Sequence, residues 1–261
     1  MTRKNSTSPY HQTDEAVLYL GDVIDVLSKM PDESVDMVFA DPPYLLSNGG
    51  ISCQNGRMVS VNKGEWDTSK GFEADYEWHR SWLEECRRVL KPNGTIWVSG
   101  TYHNIYLVGH ALQSLDYHIL NDIAWLKPNA APNLSCRYFT HSHETILWAS
   151  KSKKSKHTFN YELMKEENCG KQMRSFWEFT SPKKSEKTLG KHPTQKPLGL
   201  LERIVLSSTN EGDWVLDPFV GSGTTGVASL KWGRRFIGVD SESSYLDIAV
   251  GRLSAVLPSP I

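Results

Sequence analysis

The sequence predicts a doubly wound α/β fold on a mostly parallel sheet, and two observations carry that expectation. Strand-like and helix-like stretches alternate along most of the chain, the pattern of a parallel sheet covered by helices on both faces. Two of the strand-like stretches run straight into short special segments, DPPY at 41–44 and DPFVGSGTT at 217–225. Open α/β sheets place their ligands at such strand ends.

The elements follow in order. Ala16 to Gly21 reads as a strand, and Asp22 to Met30 as a short helix with Val23, Val26, Leu27 and Met30 at helical spacing. Val35 to Ala40 is a strand that ends at Asp41. Gly71 to Leu90 is a longer helix with Leu83, Cys86 and Leu90 on one face, and Asn93-Gly94 makes the turn beyond it. Thr95 to Ser99 is a strand and Asn104 to Leu115 a helix; Ile119 to Leu126 and Thr145 to Ala149 are two more strands. Regularity is expected to fail over 151–191, which is polar and basic with scattered aromatics. It returns at Pro197, placed at the first turn of a helix through Ser208. Trp214 to Leu216 and Arg235 to Val239 are strands, and Thr224 to Trp232 and Ser244 to Leu253 are helices. The expected organisation is a loose tail over 1–15 and one domain over 16–261, with insertions near 45–70 and 127–191.

With 261 residues, 39% hydrophobic and 23% charged, the composition is that of a soluble globular protein. No apolar run approaches a membrane span, and Met1 to Glu15 lacks the apolar core of a signal peptide. Cys53, Cys86, Cys136 and Cys169 are scattered without paired spacing, so neither a disulfide framework nor a structural zinc is expected, and a reducing cytoplasm fits. The net charge of −1 is unevenly spread. Between Lys127 and Lys196 there are 14 Lys or Arg against 6 Asp or Glu, while the rest of the chain is acidic. A basic insertion on an acidic body suits phosphate neutralisation by a DNA-binding enzyme; a solvated lysine-rich surface would look the same.

The segment Asp217-Pro218-Phe219-Val220-Gly221-Ser222-Gly223-Thr224-Thr225 follows a strand and opens a helix. Gly221 and Gly223 allow a tight turn and a close ligand approach, and the free N–H groups of the helix start suit a carboxylate or hydroxyl. A plain strand-to-helix turn could also use these glycines. Asp217 argues against a dinucleotide, because a pyrophosphate would repel it whereas the amino group of a methionine moiety would be attracted. Asp240 ends the next strand, where an acid hydrogen-bonds ribose hydroxyls.

Asp41-Pro42-Pro43-Tyr44 has the residue types needed to methylate an exocyclic amine. Such an amine is a weak nucleophile because its lone pair is delocalised into the ring. The Asp41 carboxylate and the Pro42 carbonyl can each accept one N–H, which draws the nitrogen toward tetrahedral geometry and frees the lone pair to attack a sulfonium methyl. Pro42 and Pro43 stiffen the loop, and Tyr44 offers a face on which a flipped-out base stacks.

On these residues the chain resembles the amino-methyltransferases of DNA. The catalytic segment precedes the cofactor segment, which is the β-class order, and the leading Asp favours adenine N6 over cytosine N4. The resemblance implies a Rossmann-like methyltransferase sheet with a basic target-recognition insertion, S-adenosylmethionine as cofactor and no metal. It implies cofactor contacts from Asp22 in Gly21-Asp22 and from Thr194, Gln195 and Lys196 in the segment KHPTQKP at 191–197. The stretches SNGGIS (47–52), VNKGEWD (61–67), APNLSCRYFTHSHETILWA (131–149) and GKHPTQKP (190–197) are similar to the second adenine methyltransferase of Dpn-type restriction–modification systems. That similarity implies GATC as target, a tolerance for single-stranded DNA and, by analogy with β-class enzymes, a homodimer. An N4-cytosine enzyme and a non-catalytic DNA-binding subunit are the alternatives, with an RNA substrate a weaker third.

Four further expectations remain. Arg137, Tyr138 and Phe139 fit either a buried strand edge or, preferred here, a DNA contact. Lys151, Lys153, Lys154 and Lys156 are expected to meet phosphates or solvent rather than bases. His141 and His143 are not expected to bind metal, since no Cys or acid cluster completes a site. Trp66 either packs within its insertion or closes over the site.

Overall fold

The computed structural model describes residues 8–47, 51–54, 57–60, 67–187, 189–190 and 192–256. The elements in chain order are β1 (His11–Gln12), β2 (Ala16–Leu20), α1 (Val23–Leu27), β3 (Val35–Ala40), β4 (Ile51–Gln54), β5 (Arg57–Ser60), α2 (Phe72–Val89), β6 (Leu90–Gly100), α3 (Ile105–Ser114), β7 (His118–Leu126), β8 (His143–Ser150), α4 (Tyr161–Glu167), β9 (Phe176–Glu178), α5 (Leu198–Ser208), β10 (Trp214–Asp217), α6 (Thr224–Lys231), β11 (Arg235–Asp240) and α7 (Ser243–Ser254).

Nine strands form one sheet in the order β1-β2-β11-β10-β3-β6-β8-β7-β9, and β4 pairs with β5 in a separate hairpin. β1 and β8 run against the other seven. Helices α1, α2 and α3 pack together, as do α5, α6 and α7, and successive strand residues feed opposite layers. Met37 and Phe39 share a core with Leu200, Ile204 and Leu246, while Val38 and Ala40 share another with Trp82, Leu83 and Val108. This is the doubly wound arrangement, with β3 buried on both faces as a central parallel strand requires. α2 shows the local logic. Trp82, Leu83, Cys86 and Val89 line its buried stripe, and Glu73 and Asp75 in its first turn and Arg87 and Arg88 in its last complement the helix dipole.

Two expectations about elements are corrected. Asn93-Gly94 does not separate a helix from a strand: β6 spans Leu90 to Gly100, and residues 91–94 lie in a register shift of its ladder with β3, between the pairs Val35–Leu90 and Met37–Thr95. A Cβ on Gly94 would come within 2.7 Å of Leu90 and 3.0 Å of the Asp36 carbonyl, so the glycine answers a close approach between strands. The stretch 151–191 is not irregular throughout. It contributes α4, whose one buried residue is Met164, and β9, in which Trp177 is buried between the exposed Phe176 and Glu178. The insertion after Tyr44 carries the β4–β5 hairpin. Among the described residues no helix is long and apolar enough to cross a membrane.

Candidate active site

β3 and β10 are parallel neighbours with Val38 opposite Leu216. Their carboxyl ends therefore bring Asp41 and Asp217, 176 positions apart in the chain, side by side. A cavity of about 530 Å³ opens there, within the size range of small-molecule sites. Its wall includes Asp22, Pro42, Tyr44, Trp78, Phe219 and Asp240. A second recess shares Asp41, Thr194 and Phe219 with it and reaches Lys196, Asp217 and Thr224.

The glycine loop is tied down from three sides. Gly221 (φ 48°) and Gly223 (φ 76°) adopt left-handed backbone, and a Cβ on Gly223 would lie 2.9 Å from that of Ala249, so this position needs glycine twice over. The Gly221 N–H donates to Asp240 Oδ2 at 2.9 Å. Arg252 donates to the Ser222 carbonyl (2.6 Å) and to Ser222 Oγ (3.0 Å) and Thr224 Oγ1 (2.8 Å). Asp217 accepts from Thr225 Oγ1 at 2.5 Å and from the Phe219 N–H at 3.0 Å. Two neutral donors do not offset its burial, which pushes the carboxyl up to about 7. Asp240 is also raised by burial. Asp22 lines the cavity and caps α1, accepting from the N–H groups of Ile24 (2.8 Å) and Asp25 (3.2 Å).

The loop 41–44 is held just as firmly. The Pro43 carbonyl accepts from Asn104 Nδ2 at 3.2 Å, whereas the Pro42 carbonyl accepts no hydrogen bond from the described residues. Directly after it Leu45 takes a positive φ of 61°, a strained conformation for a non-glycine residue. The buried Asp67 carboxylate stabilises it by accepting from the N–H groups of Leu45 (2.8 Å) and Leu46 (3.1 Å) and from Ser47 Oγ (3.0 Å).

Behind Asp41 lies a buried charge cluster. Lys196 Nζ contacts Asp41 Oδ2 and lies 3.8 Å from Glu144 Oε2; Lys127 Nζ contacts Glu144 Oε1. Tyr44 Oη lies 2.7 Å from Asp41 Oδ1, 2.8 Å from Glu144 Oε2 and 2.8 Å from Ser99 Oγ. Burial pushes the Asp41 carboxyl up while Lys196 pulls against it. Burial would do the same to Glu144, but Lys196 and Lys127 together hold it below its usual range. The Lys196 ammonium resists the lowering effect of burial because Asp41 and Glu144 face it, and ends above its ordinary value. Burial and the two carboxylates keep the Tyr44 phenol protonated.

Asp41 to Tyr44, Asp22, Thr194, Phe219, Gly221 and Asp240 thus line one cavity, and Asp217 lines the recess that adjoins it. The structure places three expected residues differently. Lys196 makes an ion pair with Asp41. Gln195 turns its Nε2 to the Glu186 carbonyl, and its Oε1 is buried without a partner among the described residues. Tyr44 has the Lys196 ammonium 5.1 Å from its ring centroid, so its surroundings are less open than a bare stacking platform. Ser99, Asn104, Lys127 and Glu144 were not foreseen. The one signal for Glu144 is a carboxylate at the entry of the apolar run 145–149.

The expected DNA contacts divide. Arg137 and Tyr138 are exposed on the segment leading into β8, whose first residues sit beside the end of β6, Thr145 opposite Gly100. They share the site's end of the sheet. Lys151, Lys153 and Lys154 follow the other end of β8. The Lys151 N–H donates to the Gly94 carbonyl, and Lys151 Nζ donates to the Leu90 carbonyl at 2.6 Å. At ~3.3 Å per residue, the eight residues of β8 put them about 25 Å from the site end. The rings of His141 and His143 are 5.4 Å apart, and no group of three or more potential metal ligands occurs among the described residues. Trp66 lies outside the described residues.

Residues 35–251 match the family described as DNA methylase. The chain is 59% identical over 250 residues to type II methyltransferase M2.DpnII of Streptococcus pneumoniae, covering 95% of this chain and 93% of that one. It is 49% identical over 252 residues to type II methyltransferase M2.MboI of Moraxella bovis, covering 96% and 92%. Among solved structures it is similar to the complex of M1.HpyAVI with SAM, with a TM-score of 0.69 and 29% identity over 91% of this chain and 98% of that one. The cytosine-N4-specific PvuII DNA methyltransferase shares the fold, with a TM-score of 0.74 at 21% identity over 97% and 90%.

Proposed function

The chain belongs to the DNA methylase family, and on that premise we propose that it transfers a methyl group from S-adenosylmethionine to N6 of adenine in DNA, within GATC. The observation that carries this reading is the junction of β3 and β10, where a fixed carboxylate with a carbonyl beside it that no described residue donates to, Asp41 and Pro42, lines a cavity whose adjoining recess holds a second carboxylate, Asp217. The residues fit such a cofactor. Asp217 is buried with only neutral donors and calls for a cationic partner, which the methionine ammonium provides. Gly221 and Gly223 allow close approach, Trp78 and Phe219 offer apolar faces for an adenine ring, and Asp240 and Asp22 are acceptors for hydroxyl or amine groups. When bound, the cofactor supplies an electrophilic sulfonium methyl.

The chain's own residues prepare the amine. Asp41 and the Pro42 carbonyl accept its two N–H groups, and the loop that holds them is fixed by Asn104, Asp67 and the two prolines before the base arrives. That preorganisation is the main catalytic contribution expected of them. Asp41 then takes the proton that the methylated amine must lose. Tyr44 and the cavity wall receive the base rotated out of its stack. Arg137 and Tyr138 contact DNA on the same side. GATC rests on the resemblance of 131–149 and neighbouring stretches to the Dpn-type second methyltransferase, within an alignment that spans 95% of the chain.

The test is methylation of GATC-containing DNA followed by mass analysis of the nucleosides. N6-methyladenine confined to GATC is expected, and N4-methylcytosine would overturn the choice of base. Asp41→Ala should remain folded and bind cofactor while turnover falls about 10³-fold or more.

A further inference from the structure

Glu144 is a buried anion that competes with Asp41 for both of Asp41's donors. The Tyr44 hydroxyl lies within 2.8 Å of both carboxylates, yet it has one proton and can donate to only one of them at a time. Ser99 Oγ lies 2.8 Å from the same phenolic oxygen, where either hydroxyl can donate, and 3.4 Å from Glu144 Oε2. Lys196 is likewise divided, in contact with Asp41 and 3.8 Å from Glu144. Lys127 secures the other Glu144 oxygen, so Glu144 competes as a carboxylate rather than as a neutral acid. In this resting arrangement Lys196 holds one Asp41 oxygen and the Tyr44 hydroxyl lies within reach of the other, and an incoming amine brings a further donor.

We infer that Glu144 is a positioning residue for amine methylation: it takes over the Tyr44 proton and a larger share of the Lys196 ammonium as the target base docks, which frees an Asp41 oxygen to accept the amine N–H. Lys127 is its anchor. The inference rests on Asp41 being the amine acceptor. The charged groups that bear on it are Lys196, Glu144, Tyr44 and Asp217 around Asp41, and Lys127, Lys196, Tyr44 and His141 around Glu144. Both donors are buried and cannot swing to solvent, so the second carboxylate is the place they can go.

Glu144→Gln and Lys127→Met separate this role from a structural one through the pH dependence of kcat on a GATC duplex, with thermal midpoint and cofactor affinity as checks of folding. In Glu144→Gln, Lys196 attaches wholly to Asp41 and a neighbouring negative charge is lost. The acid limb should move to lower pH by ~0.5–1 unit and the plateau kcat fall about tenfold, because Asp41 becomes a weaker acceptor, with the KM for cofactor unchanged. In Lys127→Met the cluster loses a cation and Glu144 draws Lys196 away from Asp41, so the acid limb should move to higher pH. Opposite displacements support the inference. Limbs that coincide with the wild type, or that move together, overturn it. If Glu144→Gln does not fold, the Lys127→Met limb decides, an upward shift in support and an unmoved limb against. An active Asp41→Ala enzyme would instead overturn the acceptor role of Asp41, a separate result.

Discussion

Asp217→Asn tests the cofactor assignment through two readouts that move in opposite directions. Burial pushes the Asp217 carboxyl from 3.8 in the unfolded chain up to about 7 in the cofactor-free protein. The folded state therefore keeps a proton that the unfolded chain has lost, and stability falls as pH rises from about 4 to about 7. About three pH units at 1.36 kcal/mol each set an upper limit near 4 kcal/mol. Asparagine removes that cost. Its Oδ1 can still accept the Phe219 N–H, and the Thr225 hydroxyl can turn from donor to acceptor. At pH 8 the cofactor-free variant should melt several degrees above the wild type. Binding moves the other way. If only ionised Asp217 pairs with the methionine ammonium, the apparent Kd should be about twofold above its high-pH limit at pH 7 and about elevenfold above it at pH 6. Calorimetric titration with S-adenosylhomocysteine, which carries the same ammonium, in buffers of different ionisation enthalpy should show proton release near pH 6.5. Asp217→Asn should bind at least tenfold more weakly at pH 8 and lose the pH slope. A flat wild-type affinity between pH 6 and 8, or a slope that survives in the variant, would refute the pairing.

Three other perturbations probe the surrounding architecture. Arg252→Ala removes the donors that hold Ser222 and Thr224 and should weaken cofactor binding about tenfold in the same titration, with kcat at saturation little changed. Gly223→Ala combines positive φ with a 2.9 Å approach to Ala249, and chemical denaturation should show a loss of about 1–3 kcal/mol. Arg137→Ala should weaken binding to a GATC duplex by about 1–3 kcal/mol, whereas Lys153→Ala and Lys154→Ala should leave it within about twofold. Fluorescence anisotropy at fixed salt checks all three, and equal losses would return the 151–154 lysines to the DNA path.

The residues that the sequence revealed and those it concealed differ in one physical respect. Asp41 to Tyr44 and Asp217 to Thr225 are contiguous, because a strand end followed by a tight turn packs several functional groups into a few residues, and their types state their chemistry. The cluster behind Asp41 is assembled by the sheet instead. Tyr44 meets Ser99 because β3 lies against β6, and both meet Glu144 because β8 runs back along β6 with Thr145 opposite Gly100. These partners are 55 and 100 positions away from Tyr44, and no local period encodes such a register. Lys196 shows the intermediate case. Its segment marked proximity to the cofactor loop, but which carboxylate the ammonium would face depended on how α5 docks.

The 151–154 lysines show what charge alone cannot specify. Net charge along a segment is a scalar, and it marked 127–196 as one basic surface. The antiparallel direction of β8 divides that segment: 131–142 enters at the site end, and 151–156 emerges at the far end against the 90–94 stretch. Of the basic residues in between, Lys127 and Lys196 are spent on Glu144 and Asp41 inside the cluster. The positive charge left for a phosphate backbone at the site end is therefore smaller than the composition suggests. A duplex seated over Asp41 would meet Arg137 and the exposed rings of Tyr102, Tyr138 and Phe139 before it met any of those lysines. Recognition on this face should accordingly depend more on base edges and stacking than on phosphate count, and its salt dependence should be shallower than a tally of 14 basic residues implies.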